Sequence, residues 1–175
     1  SIFMRHVIKL CLSGMMQAYS ESRFIYTRDT KSVPTDQAII GIIAAAEGIL
    51  REDTDALEKL NTQLWVEKVE RNQEISYKMT DFQTVRPIEN SKLSRLAGAE
   101  KEKPFLTASG GKKSMLPLFT KQYITNGDFT VLVAGEETAV LKAAEALKRP
   151  VFPLYLGRKC CPPNKPIFQE LLTVN

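Results

Sequence analysis

The first apolar segment of the chain has the alternation of a strand. Residues 4–14, with the sequence MRHVIKLCLSG, mix β-branched and apolar side chains with polar ones and end at a glycine. This pattern predicts a first strand in the middle of a sheet. Residues 15–33 show no sustained period and are rich in Ser, Arg and aromatic side chains, so we expect a loop there.

Two helices are predicted next. Thr35 is a suitable N-cap, and residues 37–52 are apolar almost all round, which is typical of a deeply buried helix. Gly41 and Gly48 each cost such a helix about 1 kcal/mol relative to Ala, so we expect close packing against a neighbour at both positions. Residues 54–61 predict a short second helix.

Strands and then a long irregular segment follow. Residues 63–71 alternate imperfectly, as a half-exposed strand does, and residues 74–87 predict the returning strand or strands. We expect Trp65 to lie in the core. From 87 to 123 the periodicity is lost, while Lys, Ser, Gly and Pro become frequent. This composition predicts a long basic insertion exposed at the surface.

Regular patterns return after the insertion. Residues 128–135 predict a buried strand, and residues 136–149 predict a helix that begins with acids and ends before Pro150. Residues 150–175 predict a short basic C-terminal tail. Once the insertion is removed, the order of elements resembles the β-α-β-β-α-β plan. The expected fold class is therefore α+β, a single modified ferredoxin-like (RRM-like) domain over residues 1–175.

Length, composition and the few thiols narrow the classes of function. The chain of 175 residues can bury a real core, and it has no apolar run of the roughly 20 residues that a membrane span requires. Its start lacks the layout of a signal peptide, so we expect a cytoplasmic protein with reduced thiols and no membrane partner. Cys11, Cys160, Cys161 and the one histidine, His6, do not match the spacing of a metal site. We therefore expect neither a metal nor a cofactor.

Charge is distributed unevenly along the chain. The net charge is +4, and cations outnumber acids in residues 1–34, 87–123 and 148–175, whereas the two intervening blocks are acidic. A fold that gathers the basic segments on one face would suit a polyanion such as a nucleic acid. The alternative is an ordinary solvated surface, and charge by itself leaves both interpretations open.

Five segments of the sequence resemble one protein family in their order and spacing. They are GMMQAYS (14–20), PTDQAIIGIIAAAEGILREDTDALEKL (34–60), TDFQTVRP (80–87), DFTVLVAG (128–135) and RPVFPLYLGRKCCPPNKPIF (149–168). Together they resemble the CasD family, the subunits that bind the 5′ handle in type I-E CRISPR Cascade. The most specific pieces are the Pro-Thr-led helix and the Tyr-Leu-Gly-Arg-x-x-Cys-Pro motif near the end.

The resemblance implies a fold, a role and partners. The family has the modified ferredoxin-like fold of the RAMP superfamily, and one copy would hold the 5′ handle of the CRISPR RNA. It would cap the backbone filament and contact the Cascade backbone subunit and the Cascade large subunit. Target DNA would be met only indirectly, through the complex. Residues 87–123 would form the thumb, a basic arm around which the handle hooks.

The resemblance and the residue types together select candidate RNA contacts. Single-stranded RNA requires cations for its phosphates and aromatic or Arg planes for splayed bases. The candidates lie in the loop after the first strand, in the insertion and in the C-terminal segment: Gln17, Tyr19, Arg23, Arg28, Lys112, Lys113, Tyr155, Arg158 and Lys159. The last three, with Gly157, would form a rigid basic loop that prolines stiffen. For each candidate the alternative is an ordinary surface or loop position without a ligand.

Catalysis is the rival class of function. A metal-independent endoribonuclease that processes CRISPR precursor RNA needs a general base and a general acid, which are commonly His. Here the only histidine is His6, on a strand expected to be buried, so we expect no catalytic residues and no enzyme activity. A Tyr/Lys site remains the open alternative. An unrelated nucleotide-binding protein lacks support, because the chain has no P-loop or Gly-x-Gly-x-x-Gly string.

Overall fold

A computed structural model of the protein describes residues 4–19, 27–28, 32–72, 77–84 and 118–175. The strands are β1 (Arg5–Gln17), β2 (Thr27–Arg28), β3 (Leu64–Arg71), β4 (Tyr77–Thr84), β5 (Leu118–Gly135) and β6 (Phe168–Val174). The helices are α1 (Asp36–Glu47), α2 (Thr54–Gln63) and α3 (Glu137–Lys148). No helix within the described ranges has both the length and the apolar character needed to cross a membrane.

The strands form one sheet organised by the long strand β5. β1 runs antiparallel along one edge of β5, followed on that edge by the short parallel strand β2. β3 and β4 pair with successive parts of the opposite edge, and β6 pairs with the free edge of β1. The path β3-β5-β1-β6, with α1 and α3 packed on each other beside it, is consistent with the predicted ferredoxin-like fold.

Pairing across the sheet corrects three predicted boundaries. β6 lies inside residues 150–175, which were predicted to be a tail, because Phe168–Val174 completes the edge of β1. β5 begins at Leu118, so residues 118–123, which were predicted to be irregular, belong to this strand, and 87–117 lie outside the described residues. β1 continues past its predicted end at Gly14 to Gln17, because β5 pairs with it that far.

Helix α1 begins as predicted and ends sooner. Thr35 caps it, its Oγ1 accepting a hydrogen bond from the Ala38 N–H at 3.1 Å. The helix ends at Glu47, because Gly48 adopts φ 79° and forms a left-handed C-cap. The prediction of a helix to residue 52 is therefore wrong. So is the expected close packing at Gly41, since a Cβ built there would meet nothing within 4 Å.

Strand β3 carries a bulge that accounts for its imperfect alternation. Its register against β5 shifts between Val66 and Lys68. The alternation of inward and outward side chains is therefore interrupted at this point of the strand. Trp65 is 47% exposed, and its indole N–H donates to Glu67 Oε1 at 3.1 Å. The prediction of Trp65 in the core is wrong, because its aromatic ring lies at the surface with its donor satisfied by a carboxylate.

The end of α1 holds a buried carboxylate. The side chain of Glu47 is only 4% exposed, and its Oε1 lies 3.7 Å from the exposed Lys142 Nζ. Its Oε2 has no hydrogen-bond partner among the described residues. Burial raises the pKa of Glu47, and Lys142 only partly offsets this effect.

We expect Glu47→Gln to raise the free energy of unfolding by about 1 kcal/mol at pH 7.5, since an amide removes the charge from a buried, half-satisfied site. The folded-state pKa of Glu47 lies above the unfolded value, so the wild type loses stability as pH rises through the folded-state pKa. The gain should therefore shrink towards pH 4. Urea unfolding of the variant and the wild type at several pH values measures this difference in the free energy of unfolding. Glu145→Gln is the control, because Glu145 is 76% exposed beside Lys148 and should change little. A destabilised Glu47→Gln at pH 7.5 would contradict the argument.

Candidate functional site

The basic C-terminal loop is anchored on the end of β1. The Ala18 N–H donates to the Leu156 carbonyl at 3.1 Å, and the Asn164 N–H donates to the Ser13 carbonyl at 2.7 Å. The side chains of Leu156 and Cys161 are fully buried in the core. Two backbone bonds and two buried side chains therefore hold residues 156–164 against the sheet.

The loop also closes on itself. The Leu156 N–H donates to the Cys161 carbonyl at 2.7 Å, and the Cys161 N–H donates to the Arg158 carbonyl at 2.9 Å. Gly157 adopts φ 96°, and a Cβ built on it would lie 1.6 Å from the Ala18 carbonyl oxygen. Only glycine fits this position, because both the backbone conformation and the approach to β1 exclude a side chain. We call residues 156–161 the basic loop.

The basic loop carries two cations with different surroundings. Arg158 is half-buried, and its guanidinium carbon lies 5.1 Å from the centroid of the Tyr123 ring. Lys159 is exposed, and Tyr155 just before the loop is partly exposed. The structure therefore brings Tyr155, Arg158 and Lys159 together on one short, well-anchored stretch.

Tyr123 on β5 is the partner that sequence reasoning missed. Its hydroxyl lies 3.7 Å from Cys160 Sγ, so the one tyrosine contacts two residues of the basic loop. Burial, and then the hydrogen bond to Cys160, raise the pKa of Tyr123, while Arg158 opposes the shift. Residue 123 was assigned to the end of the insertion, although the tyrosine lies five residues before the apolar run 128–135. An extended strand reaching back from that run is the signal that could have found it.

Gln17 and Tyr19 are buried beneath the surface. The Gln17 amide N–H groups donate to the carbonyls of Leu12 and Gly127 at 3.1 and 2.8 Å. The Tyr19 hydroxyl donates to Gln17 Oε1 at 2.5 Å, and burial raises the pKa of Tyr19. In this arrangement the two side chains tie β1 to β5. RNA contact by either residue stays a prediction.

The remaining candidates are only partly located. Arg23, Lys112 and Lys113 lie outside the described residues. Arg28 lies in β2, where its backbone pairs with Lys121 of β5, two residues before Tyr123. β2 thus lies beside the part of β5 that contacts the basic loop. RNA contact by these four residues stays a prediction.

The thiols of the basic loop are free and close together. Cys160 Sγ lies 3.8 Å from Cys161 Sγ, with Cys160 exposed and Cys161 buried. The pKa of Cys161 is raised to about 12, mainly by burial and then by the hydrogen bond with Cys160. Cys161 therefore keeps its proton at neutral pH and is a poor thiolate ligand. The described part of the chain contains no group of three or more His, Cys, Asp or Glu residues able to hold a metal ion.

His6 lies on β1 as predicted, at the surface rather than in the core. Its side chain is 31% exposed, and its Nδ1 contacts Glu137 Oε1 at the start of α3. The backbone N–H of His6 also donates to Glu137 Oε2 at 3.2 Å. The hydrogen bond from the His6 side chain lowers the pKa of Glu137. The imidazole is therefore engaged with a carboxylate next to the helix, and the expectation of a buried histidine is wrong.

Comparisons with known proteins agree with the resemblance seen in the sequence. The model of the family of CRISPR-associated proteins described as Cas_Cas5 matches residues 7–174. The chain is 30% identical over 169 residues to the CRISPR system Cascade subunit CasD of Escherichia coli (strain K12), covering 94% of this chain and 70% of that protein.

Solved structures give the same result. A chain from a CRISPR RNA-guided surveillance complex superposes with a TM-score of 0.68 at 29% identity, over 93% of this chain and 61% of that chain. A crystal structure of a Cas protein, at 22% identity and a TM-score of 0.60 over 93% of this chain, supports the fold alone. The chain spans about 61% of the length of the surveillance-complex chain. By the match over nearly its whole length, the chain belongs to the CasD/Cas5 family of CRISPR-associated proteins.

Proposed function

We propose that this protein is a non-catalytic RNA-binding subunit of a type I-E CRISPR Cascade complex that holds the 5′ handle of the CRISPR RNA. The observation that carries the proposal is the basic loop, which presents Arg158 and Lys159 on a backbone anchored to β1. Membership of the family supports it, because a relative at 30% identity is a Cascade subunit.

The chemistry of the basic loop suits the backbone of single-stranded RNA. Phosphates are recognised by Arg and Lys, and a preformed loop loses little conformational entropy when it binds. The loop is preformed here, because hydrogen bonds at 2.7 and 2.9 Å close it between Leu156 and Cys161. Tyr155 beside it offers an aromatic surface on which a base can stack.

The partners follow from the same proposal. Within Cascade the chain would cap the backbone filament, contact the backbone subunit and the large subunit, and meet target DNA only through the complex. The thumb predicted at 87–123 and the RNA contacts of Arg23, Lys112 and Lys113 belong to this proposal. A similar solved chain, taken from an RNA-guided surveillance complex, supports assembly with RNA and other subunits. A cytoplasmic location is part of the proposal.

The absence of catalysis is also proposed, on two observations. Cleavage of RNA without a metal requires a base that can reach the 2′-hydroxyl. The Tyr19 hydroxyl is buried and bonded to Gln17, and the His6 imidazole is bonded to Glu137. Neither group is positioned to act as a general base next to the basic loop.

The double substitution Arg158→Ala with Lys159→Ala tests the proposal. We expect Cascade assembled with this variant to bind a CRISPR RNA carrying its 5′ handle at least tenfold more weakly, because alanine cannot pair with the two phosphates. The slope of log affinity against log salt should fall by about 0.7 for each phosphate that is no longer neutralised. Filter binding across a salt series measures both quantities.

A matched control removes two cations elsewhere. Arg51→Ala with Lys59→Ala lowers the net charge equally but lies at exposed positions just before and on α2. We expect this control to bind the RNA as the wild type does. If both double variants weaken binding equally, or neither does, the basic loop is not the RNA contact and the proposal is wrong.

A further inference from the structure

We propose that Tyr123 is a positioning residue, which stacks on Arg158 and orients its guanidinium towards a phosphate of the bound RNA. This inference rests on the proposed function, because it assumes that Arg158 contacts the RNA. It adds Tyr123, which lies on β5, outside the basic loop and its sequence motif.

The geometry places one aromatic ring under the basic loop. The Arg158 guanidinium lies 5.1 Å from the Tyr123 ring centroid, within the range of a cation–π contact. Tyr123 itself is only 4% exposed, so its ring supports the arginine rather than competing for the ligand. Its backbone sits in β5 opposite Met79 of β4, which holds the ring on a paired strand.

The contact suits a phosphate-binding arginine. An unrestrained Arg side chain has several rotatable bonds, and ordering them on binding costs free energy. Stacking on a fixed ring orders the side chain before the RNA arrives.

The tyrosine hydroxyl has a second role in the same place. It lies 3.7 Å from Cys160 Sγ, two residues beyond Arg158 in the basic loop. Burial raises the pKa of Tyr123, so the ring stays neutral at physiological pH and its face attracts the cation. A side-chain hydrogen bond between Arg158 and Tyr123 opposes this rise, so Tyr123→Phe separates the contribution of the ring from that of the hydroxyl.

Four variants of the assembled complex test the inference: Tyr123→Phe, Tyr123→Leu, Arg158→Ala, and Tyr123→Leu combined with Arg158→Ala. We expect Tyr123→Leu to weaken binding of the handle-containing RNA about fivefold, the size of a partly buried cation–π contact. Tyr123→Phe keeps the ring and should stay within about twofold of wild type. In the Arg158→Ala background, Tyr123→Leu should have no further effect, since the partner it orients is gone.

Thermal unfolding of each complex checks the fold. If Tyr123→Leu does not fold, Arg158→Lys decides the question, because it keeps the charge but loses the planar stacking surface. We expect Arg158→Lys to bind the RNA several-fold more weakly than wild type, and binding equal to wild type would overturn the inference.

The outcomes separate the inference from the proposed function. An equal loss of affinity from Tyr123→Leu with and without Arg158 would overturn the inference alone, because Tyr123 would then act through other contacts. So would a strong effect of Arg158→Ala together with none from Tyr123→Leu. If Arg158→Ala leaves RNA binding unchanged, both the inference and the role of Arg158 in the proposed function are overturned.

Discussion

Replacing Gly157 by Ala is expected to lower the free energy of unfolding by about 3 kcal/mol or to open the basic loop. The new Cβ would lie 1.6 Å from the Ala18 carbonyl oxygen and 2.7 Å from its carbon, so the loop would have to move off β1. A residue with a side chain also disfavours φ 96°. Movement breaks the bond from the Ala18 N–H to the Leu156 carbonyl. Urea unfolding and limited proteolysis of the loop measure the change.

Gly41→Ala is the matched control for this substitution. Gly41 lies in the middle of α1, is exposed, and has space for a Cβ on all sides. Alanine should stabilise the helix by up to about 1 kcal/mol, the difference in helix propensity. Replacing glycine by alanine is thus expected to lower the free energy of unfolding at Gly157 and to raise it at Gly41. If Gly157→Ala unfolds like the wild type and its loop resists protease, the anchoring described for the basic loop is wrong.

Gln17→Ala is also expected to be strongly destabilising, by about 3 kcal/mol. The amide of Gln17 bonds to the carbonyls of Leu12 and Gly127 and accepts from the Tyr19 hydroxyl, all in a fully buried site. Removing it takes away the three hydrogen bonds of this amide and creates a cavity. Chemical unfolding of the purified chain measures the change in stability.

Gln169→Ala provides the comparison at the surface. Gln169 is exposed and donates one bond to the Pro166 carbonyl at 2.7 Å, so its replacement should change stability by less than about 0.5 kcal/mol. Comparing the two glutamine variants also distinguishes a structural role of Gln17 from an RNA contact. If Gln17→Ala is as stable as wild type while the assembled complex binds its RNA more weakly, Gln17 is an RNA contact and not a structural residue.

The order of elements could be predicted from local patterns. Thr35 identified the start of α1, because a capping hydroxyl acts on the N–H three residues later, within the same segment. The acids and bases at the ends of α3 identified it in the same way. The loop motif around Gly157 was recognised from residues that are contiguous in the chain. Such features depend on near neighbours, so the linear sequence contains them in full.

Several of the errors involve residues distant in sequence. β6 lacked a strong pattern of its own and forms because the free edge of β1 offers it hydrogen bonds. Gly48 ends α1, where a Cβ would meet Val151 at 3.0 Å, a contact more than a hundred residues away in sequence. Trp65 reached the surface because a bulge and the Glu67 carboxylate set its orientation.

The same distinction between neighbouring and distant residues applies to the candidate site. The sequence by itself determined that a glycine, an arginine and a lysine follow one another in a stiff segment, because that is a property of adjacent residues. Only the tertiary structure decided that this segment packs on β1, that Gln17 and Tyr19 lie beneath the surface, and that the Tyr123 ring lies 5.1 Å from the Arg158 guanidinium carbon. Those contacts arise when β1, β5 and the C-terminal segment are brought together by burial of their apolar side chains, and burial acts between residues far apart in the chain.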